Sequence, residues 1–188
     1  MPGKTRYAMI DIVDVVIWLK NELENDMKEK FAIPAVGAII VKSVADDEFI
    51  LVQNRKKNNG DGMDGLLEIP AGKIREYENI FEALRREVWE ETGLHLTKVK
   101  GEEERQFLDV DGNKTMIFSP YCVTQNLSGA YSIILSTFLC EAEGELLERT
   151  DETENIRWMR RDELKEIVEH SPDSIFLMHV HALRKYLR

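Results

Sequence analysis

The distribution of apolar residues along the chain predicts a domain rich in β-strands. Short apolar or alternating runs, separated by clusters of Gly, Asp and Asn, are typical of strands joined by turns. One hairpin is expected across residues 45–48, and a second is expected around the Asp111-Gly112 turn signal. The predicted strands cover residues 35–44, 49–52, 66–70, 97–110, 114–124, 131–141 and 156–159.

Three helices are predicted within the same domain. Residues 79–92 hold strong helix formers and no Gly or Pro, and Gly93 supplies a stop signal. Near the C-terminus, Asp162 is placed to cap a short helix, and Ser171-Pro172 is placed to open a last one. Strands combined with helices in this way indicate an α+β fold.

A further amphipathic helix is predicted before the first strand, over about residues 10–30. Its opposite face is rich in Asp and Glu, so packing on the domain or on a second subunit is favoured over membrane binding. We therefore assign residues 1–34 to a helical extension and residues 35–188 to one domain, and leave a homodimer open. The apolar stripe of the extension consists of Ile12, Val16, Leu19, Leu23 and Met27.

Composition narrows the classes of function. The 188 residues carry a net charge of −10, so the chain lacks the basic field that recruits nucleic acid. No run reaches the roughly 18 apolar residues of a transmembrane span, and no signal peptide is expected. Cys122 and Cys140 lie in apolar runs without C-x-x-C spacing, which predicts buried free thiols and a cytoplasmic location.

The helix predicted over residues 79–92 carries an unusual acidic arc. At about 100° per residue, Glu87, Glu90 and Glu91 share one side of the helix, beside its apolar stripe. Crowded carboxylates repel one another unless a positive charge lies among them. A hard divalent cation suits such oxygen ligands, and Mg²⁺ is expected, with Mn²⁺ as a substitute. The alternative is a solvated acidic helix face.

The sequence around this arc resembles a known family. Residues 72–94 read G-K-I-R-E-Y-E-N-I-F-E-A-L-R-R-E-V-W-E-E-T-G-L. They fit the box of the Nudix hydrolases, G-x5-E-x7-R-E-U-x-E-E-x-G-U with U aliphatic, and a chance match is expected about once in a million such chains. The matching residues are Gly72, Glu78, Arg86, Glu87, Val88, Glu90, Glu91, Gly93 and Leu94.

The resemblance implies a mixed β-sheet between helices and a loop-helix-loop element that holds Mg²⁺ against a diphosphate. By position, Glu87 and Glu91 are similar to the principal metal ligands. Glu90 corresponds to a further or water-mediated ligand with a share in catalysis, and the carbonyl of Ala71 to a backbone ligand.

Two more box residues are similar to supporting groups of the family. Arg86 resembles the arginine that orients the glutamates for catalysis through ion pairs, and Glu78 resembles the residue that braces the loop.

Outside the box, the resemblance points to substrate contacts. The lead-in L-E-I-P-A-G-K at residues 67–73 is similar to the branch that acts on ADP-ribose and nucleoside-diphosphate sugars. By the same resemblance, Arg55 and Glu68 are expected to contact the substrate. The position of Arg55 also fits a solvated loop arginine.

A general base is expected from a late acidic loop, because carboxylates bound to metal are weak proton acceptors. In the ADP-ribose branch such a glutamate precedes a late strand, and D-E-T-E-N-I-R-W at residues 151–158 is similar. Glu152 is favoured over Glu154, since Glu154 lies nearer the strand predicted at Ile156. A purely solvated acidic loop is the alternative.

These expectations combine into a Mg²⁺-dependent hydrolase of a small-molecule nucleotide. The resemblance implies cleavage of ADP-ribose or a related nucleoside-diphosphate sugar into a nucleoside monophosphate and a sugar phosphate. A nucleotide-sensing module of the same fold without turnover is the alternative from a different class. A nucleoside-triphosphate pyrophosphatase or an isoprenoid-diphosphate isomerase is the alternative within the fold.

Overall fold

An eight-stranded mixed sheet forms the centre of the fold in the computed structural model, which describes residues 29–56, 62–129 and 131–188. The strands of the domain are β1 (Ile33–Val44), β2 (Asp47–Arg55), β3 (Leu67–Glu68), β4 (Ala71–Lys73), β5 (His95–Val99), β6 (Gln106–Val110), β7 (Asn113–Ile117), β8 (Cys122–Gln125), β9 (Ile133–Glu143) and β10 (Thr153–Arg160). The strand order in the central sheet is β10-β2-β1-β9-β5, with β3 on β2, β4 on β1 and β8 on β9. β1 and β9 run parallel, and the other pairs are antiparallel.

Helices cover both faces of this sheet. They are α1 (Ile80–Thr92), α2 (Arg161–His170) and α3 (Leu177–Tyr186). Alternation along β1 directs Ile40 into the core cluster shared with α1, and the preceding Ile39 into the cluster shared with α2 and α3. The α+β class and the layered arrangement predicted from the sequence are confirmed.

Helix α1 has the start and stop expected from its sequence. The side chain of Asn79 accepts a hydrogen bond from the backbone N–H of Phe81 at 2.9 Å and so caps the first turn. Gly93 adopts the left-handed conformation with φ 79° and ends the helix. Burial of Leu84 and Val88, each worth about 1.5–3 kcal/mol, holds one face of α1 on the sheet.

The predicted hairpins are both present, but two long predicted strands are broken. Residues 97–110 divide into β5 and β6 because the chain turns at Gly101, with φ 85°, into a 3-10 turn at Glu102–Glu104. Residues 114–124 divide into β7 and β8 around Pro120, which has no N–H to donate to a ladder. β6 and β7 pair with each other in a separate two-stranded sheet.

Two expectations about the C-terminal helices are wrong. Asp162 is not the cap of α2: the helix begins one residue earlier, and Asp162 lies in the first turn, where its charge suits the helix dipole. Ser171-Pro172 opens a 3-10 turn at Pro172–Ser174, and α3 begins later, at Leu177.

The last strand also starts earlier than predicted. β10 begins at Thr153, not at Ile156, because Thr153 pairs with Arg55 at the end of β2. A bulge follows between Glu154 and Arg157, with Asn155 at φ 54°. The acidic loop before β10 is therefore shorter than the sequence suggests.

The chain divides into two units, Met1–Phe31 and Ala32–Arg188, and the features above belong to the second. The predicted amphipathic stripe of the first unit lies outside the described residues.

The two cysteines, Cys122 and Cys140, are free thiols, as predicted. Cys140 is buried, but Cys122 is only half-buried, so the predicted burial of Cys122 is wrong. Within the described ranges, no helix combines the length and apolar character needed to cross a membrane.

Candidate active site

A cleft of about 470 Å³ brings the box helix together with segments distant in sequence. Its lining combines charged side chains, which we call the charged wall, with apolar side chains, which we call the apolar wall. The charged wall consists of Arg55, Glu68, Lys73, Arg75, Arg86, Glu87, Glu90 and Glu152. The apolar wall consists of Ala35, Ala71, Tyr131, Ile133, Leu135, Phe176 and Met178.

The backbone of β4 approaches the box helix at Gly72. A Cβ built on Gly72 would overlap the carboxylate of Glu87, so any other residue at this position requires that side chain to move. The missing side chain lets Glu87 lie directly on the β4 backbone, next to Ala71.

Arg86 is the centre of an ion-pair network. Its guanidinium binds both oxygens of Glu78, at 2.7 and 2.8 Å, and donates to Glu87 at 2.6 Å and to Glu90 at 3.1 Å. It also donates to the carbonyl of Lys73 at 3.1 Å, which ties helix α1 to β4. Arg86 thus binds three carboxylates, and its role in orienting the glutamates for catalysis stays a prediction.

The network shifts the pKa values of its members in opposite directions. The hydrogen bond from Arg86 lowers the pKa of Glu78 to about 2, and the same bond raises the pKa of Arg86. Burial raises the pKa of Glu87 and outweighs the opposing hydrogen bond from Arg86, while the charges of Glu90 and Glu152 raise it further. Burial is thus the main reason that the pKa of Glu87 lies above its ordinary value, even with the cation of Arg86 beside it.

Glu91 is held differently from the other box glutamates. It is 5% exposed, and its Oε2 accepts hydrogen bonds from Gln53 Nε2 at 2.8 Å and from the N–H of Ala71 at 3.0 Å. The backbone carbonyl of Glu91 accepts a bond from Thr153 Oγ1 at 3.2 Å, which joins the end of α1 to the start of β10. The observed contact of Ala71 is thus its N–H; its carbonyl stays a predicted metal ligand.

Arg55 and Glu68 lie together below the apolar wall. Arg55 is 7% exposed, its Nη1 lies 3.5 Å from Glu68 Oε2, and its guanidinium stacks 4.7 Å from the ring centre of Phe176. Because Arg55 is the last residue of β2 and is buried, the alternative of a solvated loop arginine is wrong.

The two candidate bases occupy different surroundings. Glu152 is exposed and borders the cleft, and its charge acts on Glu87. Thr150 Oγ1 accepts the backbone N–H of Glu152 at 3.2 Å and so shapes the turn. Glu154 lies within β10, does not border the cleft, and its carboxylate is 3.7 Å from Lys56 Nζ.

The apolar wall was missed by the sequence interpretation. It contains the whole of a small hydrophobic cluster formed by Ala35, Leu135 and Met178 with Ala71, Ile133 and Phe176. These residues belong to three strands, to α3 and to the residue just before α3, and no local pattern marks them as neighbours. The wall lies next to the carboxylates only because β1 pairs with both β4 and β9.

His179 at the edge of this wall was also not recognised as a cleft residue. Its Nδ1 accepts the N–H of Ile69 at 3.1 Å, and its ring contacts Phe176 edge-on at 5.3 Å. Burial lowers its pKa to about 3, so the imidazole is neutral and its proton resides on Nε2. As predicted, His179 and the exposed His181 do not face each other.

The donor set has the chemistry that a divalent metal ion requires. In the part of the chain that the structure describes, no three carboxylate, imidazole or thiol groups are already gathered around one point. Glu87, Glu90 and Glu91 nevertheless supply hard oxygen ligands on one helix. Hydrogen bonds hold all three carboxylates in place, and Glu87 and Glu90 border the same cleft. These residues therefore fit Mg²⁺ or Mn²⁺.

Comparison with known proteins identifies the family. The NUDIX domain family model matches residues 33–179. The chain belongs to the Nudix family. As a Nudix hydrolase it is a pyrophosphohydrolase, and Nudix hydrolases act on small nucleotide substrates and generally use divalent metal ions. A comparison with curated proteins finds no match.

Solved structures share this Nudix fold at low sequence identity. A NUDIX hydrolase from Nitrosomonas europaea has a TM-score of 0.56 and 15% identity, covering 85% of this chain and 72% of that one. A MutT protein from Methanosarcina mazei Go1 has a TM-score of 0.54 and 18% identity, and the match covers 85% of this chain and 95% of that one. A MutT NUDIX hydrolase from Burkholderia pseudomallei has a TM-score of 0.51 and 22% identity, and the match covers 71% of this chain and 87% of that one. At these identities the likeness shows the fold.

Proposed function

We propose that this Nudix hydrolase cleaves a nucleoside diphosphate linked to a second moiety, with ADP-ribose or a related nucleoside-diphosphate sugar as substrate. The observation that carries the proposal is the cleft, which is lined by box carboxylates and cationic side chains and also by a cluster of apolar residues. The charged wall suits a diphosphate with its metal ions, and the apolar wall suits a nucleobase.

In this proposal Glu87, Glu90 and Glu91 hold Mg²⁺ or Mn²⁺, together with the carbonyl of Ala71. The bound ion supplies charge neutralisation at the phosphates and a lowered pKa for water. Arg86 keeps Glu87 and Glu90 on the cleft side of α1 through its hydrogen bonds to both.

Glu152 acts as the general base in this scheme. Its exposed carboxylate borders the cleft near Glu87, so it can take a proton from the water that attacks one phosphorus of the diphosphate. The water oxygen bonds to that phosphorus as the bond from the phosphorus to the bridging oxygen breaks, and the other phosphate leaves with the bridging oxygen. The products are a nucleoside monophosphate and a sugar phosphate. Arg55 and Glu68 contact the substrate at the buried end of the cleft.

Product analysis with a substrate panel tests the proposal. The enzyme is incubated with Mg²⁺ and ADP-ribose, nucleoside-diphosphate sugars, or nucleoside triphosphates, and products are separated by ion-exchange chromatography. AMP and ribose phosphate from ADP-ribose support the proposal. Release of inorganic pyrophosphate from triphosphates alone identifies a triphosphate pyrophosphatase instead, and binding of the panel without any product identifies a sensor.

A further inference from the structure

Gln53 is a buried amide in β2 that contacts two glutamates of the site. Its Nε2 lies 2.8 Å from Glu91 Oε2 and 3.4 Å from Glu68 Oε1. Gln53 is 0% exposed, and Glu68 and Glu91 are 4% and 5% exposed. The amide therefore joins two carboxylates that are almost completely buried.

The orientation of this amide is determined by the carboxylates. Gln53 Oε1 is buried and has no hydrogen-bond partner within the described ranges. A flipped amide would direct Oε1 at two negatively charged groups, which is electrostatically unfavourable. A buried acceptor without a partner is itself unfavourable, and an apolar side chain of similar size would avoid it. What the amide supplies here is its pair of N–H donors.

A neutral donor has a specific advantage at Glu91. Oε2 of Glu91 is held by the Gln53 amide and by the N–H of Ala71, and neither donor carries a charge. Glu78, in contrast, is bound by the guanidinium of Arg86 through both oxygens. These two uncharged donors fix the rotamer of Glu91 without neutralising its carboxylate, as a guanidinium in their place would.

The contacts of Gln53 continue beyond Glu91. Glu68, its second partner, lies 3.5 Å from Arg55 Nη1, and Arg55 stacks on Phe176 at the apolar wall. An unbroken series of polar contacts thus runs from Arg55 through Glu68 and Gln53 to Glu91.

We propose that Gln53 is a positioning residue that orients Glu91 for metal binding and links it to the Arg55–Glu68 pair. The inference rests on the proposed function, in which Glu91 is a metal ligand. Gln53 touches neither water nor phosphate in this scheme; it acts through Glu91. Loss of its donors should therefore weaken metal binding more than it slows the reaction of the metal-loaded enzyme.

Mn²⁺ titration of the full chain tests this role. Gln53→Met keeps the length of the side chain and removes both donors. We expect its Mn²⁺ affinity, measured by electron paramagnetic resonance of the free ion, to fall about 10- to 100-fold. At saturating Mn²⁺, kcat should return to within about threefold of wild type, because the reacting groups are unchanged.

Val52→Ala is the matched control. Val52 is the preceding residue in β2, is equally buried, and packs in the core cluster on the other side of the sheet. The Val52→Ala variant should have a lower free energy of unfolding and an unchanged Mn²⁺ affinity. Equal weakening of Mn²⁺ binding in Val52→Ala and Gln53→Met would overturn the inference, because general destabilisation would then explain both.

The remaining outcomes separate this inference from the proposed function. Unchanged Mn²⁺ affinity in Gln53→Met overturns the role of Gln53 and leaves the proposed function standing. Absence of Mn²⁺ binding by the wild type overturns the metal site and the inference together. Should Gln53→Met not fold, Gln53→Asn withdraws the amide by one methylene and must weaken Mn²⁺ binding in the same direction; unchanged affinity there also overturns the inference.

Discussion

Gly72 and Glu87 are in such close contact that a single methyl group at position 72 would overlap the Glu87 carboxylate. We predict that Gly72→Ala forces Glu87 off the β4 backbone and lowers kcat/KM at least about 10-fold, because a displaced metal ligand weakens the site. Gly37→Ala is the control. Its added Cβ would lie 3.4 Å from Ala71 Cβ and Leu135 Cδ1, at the short end of ordinary contact and without overlap, so this variant should keep most of its activity. Equal activity of the two variants would contradict this account of Gly72.

Glu91→Gln should lower activity at least about 100-fold through weaker Mg²⁺ binding. The substituted amide has nearly the same shape, and its oxygen can still accept from Gln53 and Ala71, so the fold should survive. Isothermal titration with Mg²⁺ checks the affinity. Glu82→Gln, which removes an exposed charge from the same helix, should leave both quantities unchanged. Full activity of Glu91→Gln at limiting Mg²⁺ would exclude Glu91 as a ligand.

Arg86→Ala should cost both stability and activity. The variant leaves Glu78 and Glu87, each about 15% exposed, without their shared partner, and we expect a loss of about 1–3 kcal/mol in unfolding free energy. Activity should fall at least about 10-fold because Glu87 and Glu90 lose their anchor. Urea unfolding and steady-state kinetics measure the two effects.

The neighbouring Arg85 provides the control for that experiment. Arg85 binds both oxygens of Glu102, at 3.0 and 2.6 Å, and does not border the cleft. Arg85→Ala should therefore lower stability modestly and leave kcat unchanged. A parallel loss of activity in both variants would show that the effect comes from the helix as a whole.

Glu152→Gln should lower kcat about 10²- to 10⁴-fold with little change in substrate Kd, as expected for loss of a general base. Glu154→Gln should remain active, since Glu154 pairs with Lys56 outside the cleft. Single-turnover kinetics separate the chemical step from binding. The opposite pattern would assign the base to Glu154, and normal rates in both variants would place it among the box carboxylates.

The neutral His179 predicts a pH dependence of stability. Its pKa is about 3 in the fold, below its ordinary value of 6.5, because burial disfavours the charged ring. The unfolded chain therefore binds the proton first as the pH falls. The contribution of His179 to the free energy of unfolding is fully present above about pH 6.5. It is lost as the pH falls toward 3, at up to about 1.4 kcal/mol per pH unit.

His179→Asn isolates this contribution. The Asn oxygen can still accept the N–H of Ile69, but the side chain does not titrate. Between about pH 6.5 and pH 5, the wild type should lose up to about 2 kcal/mol more unfolding free energy than the variant. Urea unfolding at several pH values measures the difference, and identical pH profiles would contradict a buried neutral His179.

Local features were predictable from the sequence because they depend on neighbouring residues. The limits of α1 follow from Asn79 and Gly93, and the acidic arc follows from helical periodicity alone. The box spacing identified the element that carries Glu87, Glu90 and Glu91. The turn at Asp111-Gly112 was equally visible, since a positive φ at both residues is a property of the turn itself.

Tertiary structure alone decided how these elements combine into a site. The favoured base depends on where β10 begins, and that point is determined by the pairing of Thr153 with Arg55, about 100 residues away along the chain. The anchoring of Glu91 by Gln53 depends in the same way on which strand lies beneath α1.

The apolar wall is the clearest case. The sequence by itself determined that residues such as Ile133 and Phe176 are apolar, which predicts burial in some core. Their actual position, in the lining of the same cleft as the charged residues, results from the parallel pairing of β1 with β9 and from the path of the chain into α3. Hydrophobic burial is not directional, so the same residues satisfy it in many arrangements, and only the strand order selects this one.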